Sequence, residues 1–167
     1  MNGEALAPLI AMKKQKPLPP ALRDGQYRSW EVEMAARFPL ALSEMRSPSA
    51  PLDTFETEPL ARWGIEIQAG WRPIMERLLV RLEAEIAAQP ADQRDRFRIL
   101  QIKEKFGRLT VHMGWTPGIR AALDEAERQS IATCEVCGEP GVLEERHGWW
   151  SPRCKVHETW TPWDRLG

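Results

Sequence analysis

The stretch FRILQIKEKFGRLTVHM, residues 97–113, decides what kind of fold this chain can form. Leu109, Val111 and Met113 alternate with Arg108, Thr110 and His112, so an extended segment here has one apolar and one polar face. Phe97 to Lys103 is the matching segment before it. Glu104-Lys105-Phe106-Gly107 lies between the two, and Gly107 can take the positive φ that a chain reversal demands. The pattern predicts a β-hairpin.

Helical patterns flank it on both sides. Upstream, Ile74, Leu78, Leu82 and Ile86 recur at every fourth residue, with Met75 and Leu79 widening the stripe. Arg72, Arg77, Arg81 and Glu83 fall off that stripe. Pro73 suits a first helical turn and Pro90 bounds the end, so the spacing predicts a helix over 71–88. Downstream, Thr116-Pro117 reads as a capping hydroxyl followed by Pro at the first helical position. That helix should run to about Ser130 and bury Ile119, Ala122, Leu123 and Ala126. A shorter helix fits within 29–46, with Ser29 as its cap and Pro39 ending or kinking it. Pro48, Pro51 and Pro59 mark 47–60 as a loop. The expected fold class is α+β, with a small antiparallel hairpin or sheet packed on helices.

The helix ending near Ser130 feeds into Cys134-Glu135-Val136-Cys137-Gly138, and Cys154-Lys155-Val156-His157 follows sixteen residues after Gly138. A two-residue gap lets both side chains of one turn point at one ion, so the two pairs supply four ligands for a tetrahedral metal. Thiolate with imidazole is the donor set that suits Zn²⁺. With all four positions taken by protein, no site remains for water or substrate, which makes the zinc structural. His147, in the loop between the pairs, is a rival fourth ligand whose spacing fits less well. The chain's three cysteines fit a disulfide framework poorly. The segment is expected to form a zinc-ribbon-like module whose folding energy comes from the metal.

Hydrophobic residues make up 43% of the 167 and charged residues 28%, a composition that supports a core. The 23 Lys and Arg against 24 Asp and Glu leave a net charge of −1, which excludes nucleic-acid binding by bulk positive charge. The apolar run Ala5 to Met12 is broken by Pro8 and is far shorter than the ~20 residues of a membrane span. Lys13, Lys14 and Lys16 follow that run rather than precede it, against the order of an export signal. A cytoplasmic protein without membrane contact is expected. The organisation expected is a flexible N-terminal arm (1–20), an α+β body (21–131), a zinc module (132–158) and a Trp-containing tail (159–167).

Three segments together resemble a known family. They are Trp63-Gly64-Ile65-Glu66 with Gly70-Trp71 and its helix, Gln101 to Leu109, and Ala126-Glu127 with Ser130 and the cysteine knuckle. In that order they are similar to a family of small proteins of bacteria, phages and prophages. Its members pair a "GW" helix and a "KEKFG-x-L" hairpin with a terminal CxxCG zinc knuckle. The resemblance covers roughly 60–158 and implies no reaction. Its phage or mobile-element setting implies a role against a host factor, such as anti-defence.

No phosphate loop or nucleophile elbow is present in the sequence. His112 on a strand reads as a surface or core histidine, and Asp124, Glu125 and Glu127 as a solvated helix face. The chain is therefore read as non-enzymatic. Two binding modes remain. Eight tryptophans stand against one Tyr and four Phe. Trp63, Trp71 and Trp115 are expected in the core, whereas Trp149, Trp150, Trp160 and Trp163 crowd around the zinc segment. Indoles are enriched at interface centres, so these four are candidates for binding a protein partner, a host factor or a second copy. Alternatively, Arg94, Arg96, Arg98, Lys103, Lys105 and Arg108 oppose only Asp95 and Glu104 and could form a local nucleic-acid face, with Phe106 and Trp115 stacking on bases.

Overall fold

Helix α3 (Arg72–Ala87) is the element against which most of the core assembles. Its stripe Ile74, Met75, Leu78, Leu79, Leu82 and Ile86 is buried throughout, as the periodicity predicts, and Pro73 occupies its first turn. The computed structural model describes residues 27–46, 59–114 and 116–159. The expected arm at 1–20, Trp115, Trp160, Trp163 and most of the tail lie outside the described residues.

Five strands and four α-helices are found among the described residues, an α+β arrangement. The predicted hairpin is β2 (Ile99–Lys105) and β3 (Arg108–Met113), antiparallel, with Ile102 opposite Val111 and Lys103 opposite Thr110. The turn is tighter than expected. Only Phe106 and Gly107 form it, at φ 53° and 75°, and both left-handed values match the twist of a two-residue hairpin loop. Gly107 N–H also donates to the Glu104 carboxylate at 2.8 Å. A third strand, β1 (Ile65–Glu66), pairs parallel to β2, so the sheet is mixed, with order β1-β2-β3.

Helix α4 (Pro117–Ile131) lies along β3 and against α3. Thr116 caps it, its hydroxyl accepting from Ile119 N–H at 3.4 Å. Near the other end, buried Ser130 joins helix to sheet: its hydroxyl accepts from Leu109 N–H at 3.0 Å and donates to the Glu127 carbonyl at 2.7 Å. Such bonds spare a buried backbone donor the ~1–3 kcal/mol of being left unmade.

Helix α1 (Ser29–Arg37) begins differently from the expectation. Ser29 is inside the helix, and Arg28 is the capping position. The first-turn acceptor is Glu31, whose fully buried carboxylate takes Arg28 N–H at 2.8 Å, Arg28 Nε at 2.8 Å and Ile65 N–H at 2.6 Å. A buried charge is tolerated when saturated in this way. Here it also fastens α1 to β1. Glu83, off the apolar stripe of α3, accepts from Leu40 N–H at 3.1 Å and Ala41 N–H at 2.8 Å and so secures the turn after α1. Of the region expected as a loop, 47–58 lies outside the described residues, while Pro59–Trp63 forms a short helix, α2. Trp71 is fully buried, as expected, and Trp63 is half-buried.

Candidate metal centre

The four predicted ligands converge. The ligand atoms of Cys134, Cys137, Cys154 and His157 all lie within 4.8 Å of one another. Cys137 Sγ is 3.7 Å from Cys154 Sγ, and His157 Nδ1 is 3.3 Å from Cys154 Sγ and 3.7 Å from Cys134 Sγ. A tetrahedral Zn²⁺ with ordinary bond lengths places sulfurs about 3.8 Å apart and a sulfur about 3.5 Å from a nitrogen. The spacing fits an ion at the centre.

Each pair is shaped by its own backbone. In the first, Gly138 N–H donates to the Cys134 carbonyl at 2.9 Å and Gly138 takes φ 86°, a reversal that brings Cys137 under Cys134. In the second, Cys154 leads into a 3₁₀ turn (Lys155–His157), and His157 N–H donates to the Cys154 carbonyl at 3.1 Å. Burial alone would raise the Cys134 thiol, but the N–H groups of Cys154, Cys137 and Val136 outweigh it and hold the thiol down to about 6. Local desolvation of an otherwise exposed residue pushes Cys137 up to about 11, and the neighbouring Cys134 and Cys154 sulfurs add to the push. The opposite shifts of Cys134 and Cys137 are those of two thiols competing for one negative charge, which a bound cation relieves.

Between the pairs the chain forms a second hairpin, β4 (Val142–Arg146) and β5 (Trp149–Arg153). His147 and Gly148 make its two-residue turn, at φ 54° and 81°. That places His147 at the end of the hairpin away from Cys154, so the rival ligand does not join the cluster. The buried pair Arg153–Glu135, 3.4 Å apart, and Glu135 N–H donating to the Pro152 carbonyl at 3.3 Å tie β5 to the first knuckle. No protein-family profile, curated protein or solved structure matches the chain.

The knuckle is seated on the body through the Gly70-Trp71 dipeptide. Gly70 N–H donates to the Glu135 carbonyl at 2.8 Å, and the Trp71 indole N–H donates to the Thr133 carbonyl at 2.9 Å. A side chain on Gly70 would collide with the knuckle, its Cβ falling 2.2 Å from the Cys134 carbonyl oxygen and 2.5 Å from Gly138 N. The dipeptide stands out in the sequence, but its contact with the metal site does not. The tip of the first hairpin meets the second as well: a Cβ on Gly107 would lie 2.2 Å from Leu143 Cδ1 and 3.2 Å from the Trp150 carbonyl carbon. Phe106, at that tip, is 68% exposed and Trp150 is 44% exposed, whereas Trp149 is half-buried.

Three of the six predicted cations, Arg94, Arg98 and Arg108, have partners within the chain. Arg94 closes the carboxyl end of α3, donating to the Ala87 carbonyl at 2.9 Å and the Gln89 carbonyl at 3.1 Å. Arg98 pairs with Glu44 at 3.1 Å and Arg108 with Glu127 at 2.6 Å. Arg96 is exposed. Lys103 and Lys105 share the outer sheet face with Arg108, Thr110 and His112, their cross-strand neighbours and next pairs, and Lys105 Nζ lies 5.9 Å from the centre of the Phe106 ring. His112 is held below its ordinary value by partial burial and by Lys103 and Lys105. Asp124 and Glu125 pair with Arg120 and Arg128 on their own helix, so with Glu127 the acidic residues form the solvated face expected of α4. No helix among the described residues is long and apolar enough to cross a membrane.

Proposed function

We propose that this chain is a non-enzymatic binding protein. Its C-terminal module folds around one structural Zn²⁺ held by Cys134, Cys137, Cys154 and His157, and it presents an aromatic surface to a protein partner. The observation that carries this reading is the closed Cys₃His cluster: with four protein ligands at tetrahedral spacing, a zinc ion has no open position for chemistry and serves to hold the chain. Exposed Trp150, and exposed Phe106 next to the Gly107 that abuts the Trp150 backbone, support a binding role, since large aromatics in solvent are the anchors of protein interfaces. Trp160 and Trp163, outside the described residues, are the further candidates that the sequence offers for this role. The resemblance read in the sequence adds a host factor as the class of partner.

Metal analysis of the purified, reduced chain tests the first half, with one equivalent of zinc expected and none overturning it. A pull-down from host lysate with the native chain and a Trp150→Ala control tests the second. The nucleic-acid reading is favoured by Lys105 over Phe106 but weakened by the internal pairing of Arg94, Arg98 and Arg108. Binding through phosphates would fall steeply as salt rises, whereas an indole-centred protein contact would hold.

A further inference from the structure

The four ligands are not equally sheltered. Cys134 is fully buried, Cys154 and His157 are half-buried, and Cys137 is exposed. Of the exposed residue's two sulfur neighbours, Cys134 is buried, whereas Cys154, on the other knuckle with its Sγ 3.7 Å away, is half-buried. Cys134 Sγ, on the sheltered side, lies 3.7 Å from His157 Nδ1. The centre is thus open to solvent on its Cys137–Cys154 edge and closed on its Cys134 side.

We infer that Cys137 is the site at which a hydroperoxide oxidises this centre, closing a Cys137–Cys154 disulfide and expelling the ion. The inference rests on the zinc reading above. Zinc has no redox chemistry of its own, but it keeps its thiolates deprotonated, and a thiolate is the form that peroxides attack. Reactivity then follows exposure, which singles out Cys137. Its sulfur attacks the O–O bond of hydrogen peroxide, becoming a sulfenic acid and releasing hydroxide. The Cys154 thiolate attacks that sulfur, the S–S bond forms and a second hydroxide leaves. Two thiolates lose two electrons, the peroxide gains them, the hydroxides take two protons from solvent, and Zn²⁺ departs unchanged in oxidation state.

The consequence reaches the binding surface. Cys154 directly follows β5, which bears Trp150, and Cys137 directly precedes Gly138, which abuts Gly70. Oxidation would remove the ion that holds both knuckles in register and so loosen the surface that the partner meets.

The test uses the zinc-loaded chain treated with stoichiometric hydrogen peroxide. Released zinc is read with a chromogenic chelator and the linkage by peptide mapping. The wild type should release its zinc and yield the Cys137–Cys154 cross-link. Cys137→His, which keeps four ligands, should retain its zinc under the same treatment. Should that variant fail to load, mapping of the wild type decides alone. A cross-link through Cys134, zinc retained by the wild type, or zinc lost equally from loaded Cys137→His would overturn the inference while leaving the metal reading intact. Absence of zinc from the untreated protein would overturn both.

Discussion

Gly70 donates its backbone N–H to the carbonyl of Glu135, in the middle of the first metal knuckle, at 2.8 Å. The contact is possible only without a side chain at position 70. Gly70→Ala would place a methyl group 2.2 Å from one backbone atom of the knuckle and within 2.6 Å of two others. Backbone cannot swing aside as a side-chain tip can. The substitution should cost about 1–3 kcal/mol in a denaturant titration, the range typical of overpacking. Zinc affinity should fall with it, because the ligands and their seat are displaced together.

Cys137→Ser removes one of four ligands. It should abolish stoichiometric zinc and raise hydrogen exchange across residues 132–158. Helix α3 should keep its protection, since its six buried residues pack within the body. Exchange rising equally in both regions would mean that body and module unfold as one unit.

The protein's one tyrosine provides a pH test. Burial, with the nearby Glu31 and Glu44 carboxylates, pushes Tyr27 up to about 12 from an ordinary 10.0, and its hydroxyl donates to the Ala61 carbonyl. The neutral phenol is therefore the stabilised form. Its contribution is complete below pH 10 and is lost as pH rises toward 12. The phenolate absorbance of the folded protein should titrate near 12, and near 10 after unfolding.

Trp150→Ala should weaken capture of a protein partner by about 30-fold, the equivalent of ~2 kcal/mol for an interface anchor. Zinc content should stay unchanged, because the side chain is not among the ligands. A fall in melting temperature with unchanged affinity would assign the indole to packing.

The features legible in the sequence are those set by local spacing. The stripe of α3, the Thr116 cap, the alternation of β3 and the two ligand pairs each depend on residues within a few positions of one another. The Glu31 carboxylate that replaces Ser29 as the helix-start acceptor also serves Ile65 N–H, 34 residues away. Strand β1, two residues long, is too short to show alternation, and its parallel partner lies beyond α3. In β4 the sequence Val142 to Arg146 mixes charged and apolar residues without a period of two, so the second hairpin is invisible to pattern. Gly70 belongs to a recognisable dipeptide, but its need for no side chain is set by Cys134, Glu135 and Gly138, more than sixty residues away.

The Trp71–Thr133 hydrogen bond spans 62 residues of sequence, whereas each ligand pair lies within a single turn. Closing so long a loop costs chain entropy before any contact offsets it, and distant contacts slow a chain's search for its native state. The cysteine turn can therefore meet its ion early, while the seat at Gly70 and Trp71 exists only after α3 has joined the body. Assembly should show two phases: fast metal capture, then slower docking of the knuckle, the second alone slowed by substitutions in α3.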